Sequence, residues 1–137
     1  MDKTIAAVKA LIEKEGEYLF VGVEYGDGTI WVPPGGKVER GESPIQALNR
    51  EVQSETSLKI EPGRPIGMYH FLKGEKDRGD QVTLTLFETD KVNGNVDIET
   101  DHAKEDGITD YKWMSPEQIR KNNVTDTLRQ LLEQEIF

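Results

Sequence analysis

The stretch from Trp31 to Leu58 constrains the fold most, because a loop rich in proline and glycine leads there into a helix. The sequence Pro33-Pro34-Gly35-Gly36 excludes regular secondary structure and predicts a shaped loop. Ser43 followed by Pro44 is typical of a helix N-cap and of the first helical position. The residues from Pro44 to about Ser57 include no glycine, so we predict one helix over this range.

Two carboxylates share one side of this predicted helix. At about 100° per residue, Glu51 and Glu55 lie about 40° apart, directly beside an apolar stripe that is expected to be buried. Like charges one turn apart destabilise an isolated helix by a few tenths of a kcal/mol. A cation between them would explain the pair, and carboxylate oxygens suit Mg²⁺. The apolar stripe consists of Ile45, Leu48 and Val52.

The loop before the helix offers further oxygen atoms. Glycine at 35 and 36 lets the backbone approach a ligand closely and leaves its carbonyls free to coordinate a metal. Glu39 and Glu42 bring carboxylates to the same mouth, and Arg50 could hold a neighbouring carboxylate through a forked hydrogen bond. Each of these residues taken alone is better explained as an ordinary exposed charge. Their combined spacing argues for a metal site.

The remaining chain predicts one mixed domain of class α/β (α+β). The apolar runs 4–12 and 18–23 predict a β-hairpin, with a helix as the alternative for the first run. Segments 66–72 and 81–88 predict strands joined by the polar stretch 73–80, and 108–114 predicts a third strand. A long acidic loop is expected from Asn93 to about Gly107. Short helices are expected after Ser115 and from Thr125 or Asp126, the last with Leu128, Leu131, Leu132 and Ile136 on one apolar stripe.

Composition narrows the class of protein. The 137 residues suit a single domain over 1–137, and the net charge of −9 disfavours general nucleic-acid binding. No segment approaches the roughly 20 apolar residues of a membrane span, and the N-terminus lacks the pattern of a secretion signal. The absence of cysteine excludes disulfides and thiolate sites. We therefore expect a cytoplasmic protein without a membrane partner.

The stretch 36–58 resembles the Nudix box, G-x5-E-x7-R-E-U-x-E-E-x-G-U with U aliphatic. Gly36, Glu42, Arg50, Glu51, Val52, Glu55 and Leu58 match it at the right spacing. The flanking Trp31 and the segments 34–39 and 113–119 also look like family members, so the likeness covers nearly the whole chain. It implies an α/β/α sandwich with a mixed β-sheet.

Two positions depart from the motif. Ser57 stands where the box has glycine near the helix end, which is a mild change. Ser54 stands where the box has the first glutamate of its pair, and in the family that glutamate is usually a ligand of the catalytic metal. A neutral hydroxyl is a poor substitute for a carboxylate, so Mg²⁺ binding should be weakened.

The resemblance implies metal-dependent hydrolysis of a phosphoanhydride bond in a nucleoside diphosphate linked to another moiety. Mg²⁺ or Mn²⁺ would screen the diphosphate and acidify a water, and a glutamate would take its proton. The expected metal ligands are Gly35, Glu39, Glu51 and Glu55. The expected substrate contacts are Gly36, Lys37 and Glu42. The expected catalytic groups are Arg50, Glu51 and Glu105.

Some assignments keep alternatives. The base could be Glu51 or a loop carboxylate, with Asp106 beside Glu105 as a candidate, whereas His102 is interpreted as a surface histidine. Lys73, Lys76 and Arg78 could contact phosphate, although a solubilising role is the simpler interpretation.

Ser54 also supports a second class of function. A catalytically weakened module that binds a nucleotide or nucleotide sugar is the alternative to the enzyme, and a protein-interaction domain is a weaker third. The partner is expected to be a nucleotide-like small molecule. Many relatives pair, so the resemblance also admits a homodimer.

Overall fold

A computed structural model of the protein describes residues 3–73 and 79–137. The side chain of Lys73 and the residues Lys76 and Arg78 lie outside this description. None of the described helices is both long enough and apolar enough to cross a membrane. The strands are β1 (Thr4–Leu11), β2 (Glu13–Lys14), β3 (Glu17–Tyr25), β4 (Gly28–Val32), β5 (Gly35–Lys37), β6 (Lys59–Lys73), β7 (Asp80–Asn93) and β8 (Ile108–Met114). The helices are α1 (Pro44–Thr56), α2 (Asp101–Glu105), α3 (Pro116–Lys121) and α4 (Asp126–Glu135).

The strands form two sheets. The first has the order β5-β1-β7-β6, in which β1 and β7 are parallel and the other pairs are antiparallel. The second has the order β2-β3-β4, and β8 pairs with β3 antiparallel. A mixed sheet combined with helices confirms the predicted fold class.

Helices cover both faces of the first sheet. Because neighbouring strand residues point to opposite faces, Ala7 and Leu11 of β1 pack in one core and Val8 and Ala10 in another. The first core also contains leucines of β7 and α4, and the second contains apolar residues of α1. This arrangement is the expected α/β/α sandwich. The leucines are Leu84, Leu86, Leu128, Leu131 and Leu132, and the α1 residues are Ala47, Leu48 and Val52.

The predicted N-terminal hairpin is largely wrong. Both apolar runs are strands, but β1 pairs with β5 and β7 rather than with β3. The hairpin is confined to Glu13–Lys14 pairing with Glu17 and Tyr18. Local turn chemistry placed the reversal correctly, whereas burial on both faces drew β1 into the centre of the first sheet.

Two segments predicted as loops contain regular structure. Gly35–Lys37 forms β5, an edge strand in which Gly35 pairs with Lys9. The acidic segment after Asn93 contains α2, whose N-cap is Thr100. Predicted strands 66–72 and 81–88 are confirmed but extend further as β6 and β7, and β6 accommodates Pro62 and Pro65 at register shifts.

Helix α1 begins and ends where the sequence indicates. Ser43 and Gln46 form a capping box, in which each backbone N–H donates to the other side chain at 3.1 Å and 2.8 Å. The helix ends at Ser57, whose φ of 67° is left-handed. One expectation is wrong, because Ile45 is 40% exposed. It lies in the first turn, before the helix reaches the core.

Replacing Ser57 with glycine should stabilise the protein by about 0.5–1 kcal/mol, since glycine adopts a left-handed conformation without strain. The gain is reduced by loss of the exposed hydrogen bond from Ser57 Oγ to Asp97 O at 3.1 Å. Chemical denaturation measures the change. The matched variant Ser57→Ala keeps Cβ and loses the hydroxyl, so it should be less stable than wild type. A Ser57→Gly variant no more stable than Ser57→Ala would contradict the account.

Candidate metal and catalytic site

Helix α1 directs two carboxylates inward rather than along an exposed face. Glu51 is 6% exposed and Glu55 is 3% exposed. Helix α2 brings His102 and Asp106 against them, so that one ligand atom from each of the four residues lies within 4.8 Å of the others. We call these four residues the carboxylate–histidine cluster. Three carboxylates so close together repel one another unless a positive charge lies among them.

Glu51 uses both of its oxygens. Its Oε1 accepts from Arg50 Nη1 at 2.7 Å, and its Oε2 is 2.7 Å from His102 Nε2. The same Nε2 is 3.2 Å from Asp106 Oδ2. The imidazole nitrogen therefore points into the middle of the cluster.

Arg50 links the helix to the preceding loop. Its Nε donates to Glu42 Oε2 at 2.7 Å and its Nη2 to Glu42 Oε1 at 2.8 Å. Nη2 also donates to the carbonyl of Lys37 at 3.1 Å. The Arg50 fork, together with the N–H of Glu39, lowers the pKa of Glu42 to about 2, and the two carboxylates raise the pKa of Arg50. A two-point hydrogen bond of this kind fixes the orientation of the Glu42 carboxylate and of the guanidinium, and it also pairs their charges.

Replacing Arg50 with lysine should weaken divalent-metal binding by about 10–100-fold, because a single ammonium cannot hold Glu42 and Glu51 in the same geometry. Isothermal titration with Mn²⁺ measures the affinity. Arg40→Lys on the exposed loop is the matched control and should be unaffected. Equal affinities for both variants would show that the hydrogen bonds of Arg50 do not support the metal site.

Glu55 is the most buried member of the cluster. Its Oε1 accepts from the N–H of Gly35 at 3.1 Å, and no described group donates to its second oxygen. Burial raises the pKa of Glu55 to about 7. Lys9 and the Gly35 bond oppose that shift, whereas Glu51 and Asp106 add to it. Lys9 Nζ donates to the carbonyl of Gly35 at 3.5 Å.

The pKa of His102 reflects opposing influences. Burial lowers it, but the hydrogen bond and charge of Glu51, together with the charges of Asp106 and Glu55, raise it above its usual value overall. The environment of this ring is therefore dominated by negative charge.

The glycines leave room for the cluster. A Cβ on Gly36 would lie 2.6 Å from Glu51 Oε2, so a larger residue there would displace this carboxylate. One oxygen of Glu55 lacks a hydrogen-bond donor among the described residues. Carboxylates, an imidazole and nearby backbone carbonyls are the donors that divalent cations take in proteins. The residues present fit a divalent metal.

The structure brings together some of the predicted site residues and leaves others outside. Glu51, Glu55 and the Gly35 backbone meet, and Arg50, Glu42 and the Lys37 carbonyl meet beside them. The Glu39 side chain is 71% exposed, and its ion pair with Arg50 is a long one, 4.0 Å from Glu39 Oε1 to Arg50 Nη2. Glu105 is exposed on α2, and neither residue belongs to the carboxylate–histidine cluster.

Three contributors escaped the sequence interpretation or were ranked too low. His102 is not an ordinary surface histidine, since its side chain is 32% exposed and contacts Glu51. Asp106 rather than Glu105 faces the cluster. No motif in the sequence points to Lys9, which lies near Gly35 and Glu55 in the structure. The segment Thr100-Asp101-His102 before Asp106 contains the usable signal, an N-cap followed by an i,i+4 His–Asp pair.

Comparison with known proteins identifies the family of the chain. A NUDIX domain profile matches residues 3–134. The phosphatase NudJ of Escherichia coli K12 is 28% identical over 76 residues, which are 56% of this chain and 50% of that protein. The chain thus spans about half the length of the curated relatives it matches.

Solved structures share the whole fold. A NUDIX hydrolase from Nitrosomonas europaea is 30% identical with a TM-score of 0.77, covering 95% of this chain and 86% of that one. A MutT protein from Methanosarcina mazei Go1 is 28% identical with a TM-score of 0.79, covering 97% and 93%. With the profile match over 3–134, these similarities lead to one conclusion: the chain belongs to the Nudix hydrolase family.

Proposed function

We propose that the protein hydrolyses a phosphoanhydride bond in a nucleotide-like substrate with the help of a divalent metal, Mg²⁺ or Mn²⁺. The observation that carries the proposal is the convergence of Glu51, Glu55, His102 and Asp106 within 4.8 Å. Membership of a family of pyrophosphohydrolases supports it. The net charge of −9 means that a phosphorylated substrate needs an intervening cation.

Glu51, Glu55 and the carbonyl of Gly35 are the proposed metal ligands on α1 and β5. When bound, the ion supplies charge screening at the diphosphate and acidifies a water. Arg50 holds Glu51 from the side at 2.7 Å, and Glu42 holds Arg50 in turn. Glu42 is therefore proposed as a positioning residue rather than a direct substrate contact. Gly36 and the exposed Lys37 follow Gly35 in the sequence, and Lys37 is proposed to contact a substrate phosphate.

Asp106 is the proposed base that takes the proton from the attacking water. The side chains of Asp106 and Glu105 are both exposed, but the Asp106 carboxylate belongs to the cluster and Glu105 does not. A base must lie within hydrogen-bond reach of the proton it removes, directly or through one water. Glu51 is a less suitable base, because Arg50 donates to its Oε1 at 2.7 Å and the metal is proposed to bind its other oxygen.

The test is an assay of the purified protein with Mg²⁺ or Mn²⁺ and a panel of nucleoside triphosphates, dinucleotides and nucleotide sugars. Release of phosphate, pyrophosphate or a nucleoside monophosphate is expected for at least one substrate. A chelator should abolish the release. Failure of every substrate with either metal would reject the proposed activity.

Ser54 favours one alternative, a module that binds a nucleotide but turns it over poorly. Because Ser54 is half-buried on α1, a carboxylate at this position would add charge beside the cluster. The Ser54→Glu variant should raise metal affinity and the hydrolysis rate, each by about tenfold. Isothermal titration and steady-state kinetics measure both. Tight nucleotide binding without turnover in the wild type would favour the module, and a lower rate in the variant would contradict the expectation that a carboxylate at position 54 strengthens the metal site.

A further inference from the structure

The position that departs from the motif is also the position where α2 docks on α1. The hydroxyl of Thr100 donates to the backbone carbonyl of Ser54 at 2.7 Å. The hydroxyl oxygen of Thr100 also accepts from the N–H of Ala103 at 3.0 Å and so caps α2. Ala103 is fully buried. Helix α2 is therefore fixed against the turn of α1 that lacks the expected glutamate.

This docking places the imidazole of His102 beside the carboxylate of Glu51. His102 Nε2 lies 2.7 Å from Glu51 Oε2 and 3.2 Å from Asp106 Oδ2. All four side chains of the cluster offer ligand atoms within 4.8 Å of one another. Glu55 is 3% exposed, and only its Oε1 accepts from a described group, the N–H of Gly35 at 3.1 Å, so its second oxygen is available to a metal.

We infer that His102 replaces the motif glutamate as a metal ligand, so that the metal centre of this chain is a mixed nitrogen–oxygen site formed by His102, Glu51 and Glu55. The inference rests on the proposed function and specifies its metal. Asp106 contacts the same Nε2 at 3.2 Å and adds negative charge beside the imidazole.

The donor set has a consequence for metal choice. Mg²⁺ takes oxygen ligands almost exclusively and retains several waters, whereas imidazole nitrogen suits later transition metals. Replacing a carboxylate by an imidazole also removes one negative charge, which weakens the hold on Mg²⁺ most. The centre should therefore prefer Co²⁺ to Mg²⁺ more strongly than an all-oxygen site does.

Electron spin echo envelope modulation of bound Mn²⁺ detects a coordinated imidazole nitrogen directly. The chain contains two histidines, and His70 is exposed on β6, so His70→Gln is a matched control. With ¹⁵N-histidine labelling, the nitrogen modulation should be present in the wild type and in His70→Gln. It should be absent in His102→Gln. Because His70→Gln retains only His102, its spectrum assigns the nitrogen even if His102→Gln folds poorly.

Affinities add a second measurement that does not depend on turnover. By isothermal titration, His102→Gln should weaken Co²⁺ binding about tenfold or more and Mg²⁺ binding by no more than about threefold. The double variant His102→Gln with Ser54→Glu should recover Mg²⁺ binding above the wild-type level. An equal loss for both metals would overturn the inference.

The outcomes separate this inference from the proposed function. Metal-dependent hydrolysis with no histidine nitrogen modulation would leave the function standing and overturn the role of His102. A wild-type protein that binds neither Mn²⁺ nor Co²⁺ would overturn both. Nitrogen modulation without hydrolysis of any nucleotide would support the metal site and reject the activity.

Discussion

The Glu55→Gln variant should lose metal-dependent hydrolysis by a factor of about 10³ or more. Glutamine retains the shape and can still accept from the Gly35 N–H, which is 3.1 Å from Glu55 Oε1. It removes the negative charge that the proposed metal needs, so metal affinity should fall together with the rate. Steady-state kinetics and isothermal titration with Mn²⁺ measure the two effects.

The same variant should be more stable than the wild type in the absence of metal at pH 8. Burial raises the pKa of Glu55 from 4.5 to about 7, which costs the ionised folded state about 3 kcal/mol. Because the folded pKa is the higher one, the stability contribution is fully present below pH 4.5 and is lost as pH rises through about 7. Glutamine avoids this loss, so a gain of about 2 kcal/mol is expected at pH 8.

Denaturant unfolding with a chelator, repeated from pH 4.5 to 8, checks the stability of this variant. The difference between variant and wild type should shrink as the pH falls. Added Mn²⁺ should stabilise only the wild type, since a ligand that binds the folded state shifts unfolding by mass action. Glu135→Gln, at the exposed end of α4, is the matched control. A Glu55→Gln protein that hydrolyses substrate normally would remove Glu55 from the site.

The second large effect is expected from Gly35→Ala, which should destabilise the protein by at least about 3 kcal/mol. Gly35 has a φ of 147°, and a Cβ there would lie 2.0 Å from the carbonyl oxygen of Val8 and 2.8 Å from Lys9 Cα. Both neighbours are backbone atoms of the central strand β1, so neither can move alone. A fall in Tm of about 10 °C or more is expected.

Gly28→Ala is the control for Gly35→Ala. No atom lies within 4 Å of a Cβ built on Gly28, and its φ is not in the left-handed range. That variant should unfold within about 1 kcal/mol of the wild type. The folded fraction of Gly35→Ala should also lose metal binding, because its backbone N–H contacts Glu55. Wild-type stability in Gly35→Ala would contradict the described β5–β1 contact.

The fold was predictable where local chemistry and tertiary packing agree. Ser43 and Pro44 marked the start of α1, and the alternation of Val82, Leu84 and Leu86 marked the buried face of β7. The pairing of β1 was not predictable, because a parallel partner more than seventy positions later leaves no local signal. The glycines of β5 predicted a loop, whereas backbone pairing with β1 made them an edge strand.

The site was predictable on α1 and only in part elsewhere. The spacing of Arg50, Glu51 and Glu55 on one helix places them together whatever the remaining chain does. Their burial was unexpected, since ionisable side chains are seldom fully buried without partners. Those partners come from α2, and the one-turn spacing of His102 and Asp106 had meaning only once that helix was recognised within a segment predicted as loop.

Crystals grown with Mn²⁺ and measured near its absorption edge test the metal site most directly. An anomalous peak is expected within coordination distance of carboxylate oxygens from Glu51 and Glu55. A saturated crystal whose only anomalous peaks lie away from both carboxylates would contradict the assignment of these residues as the metal centre.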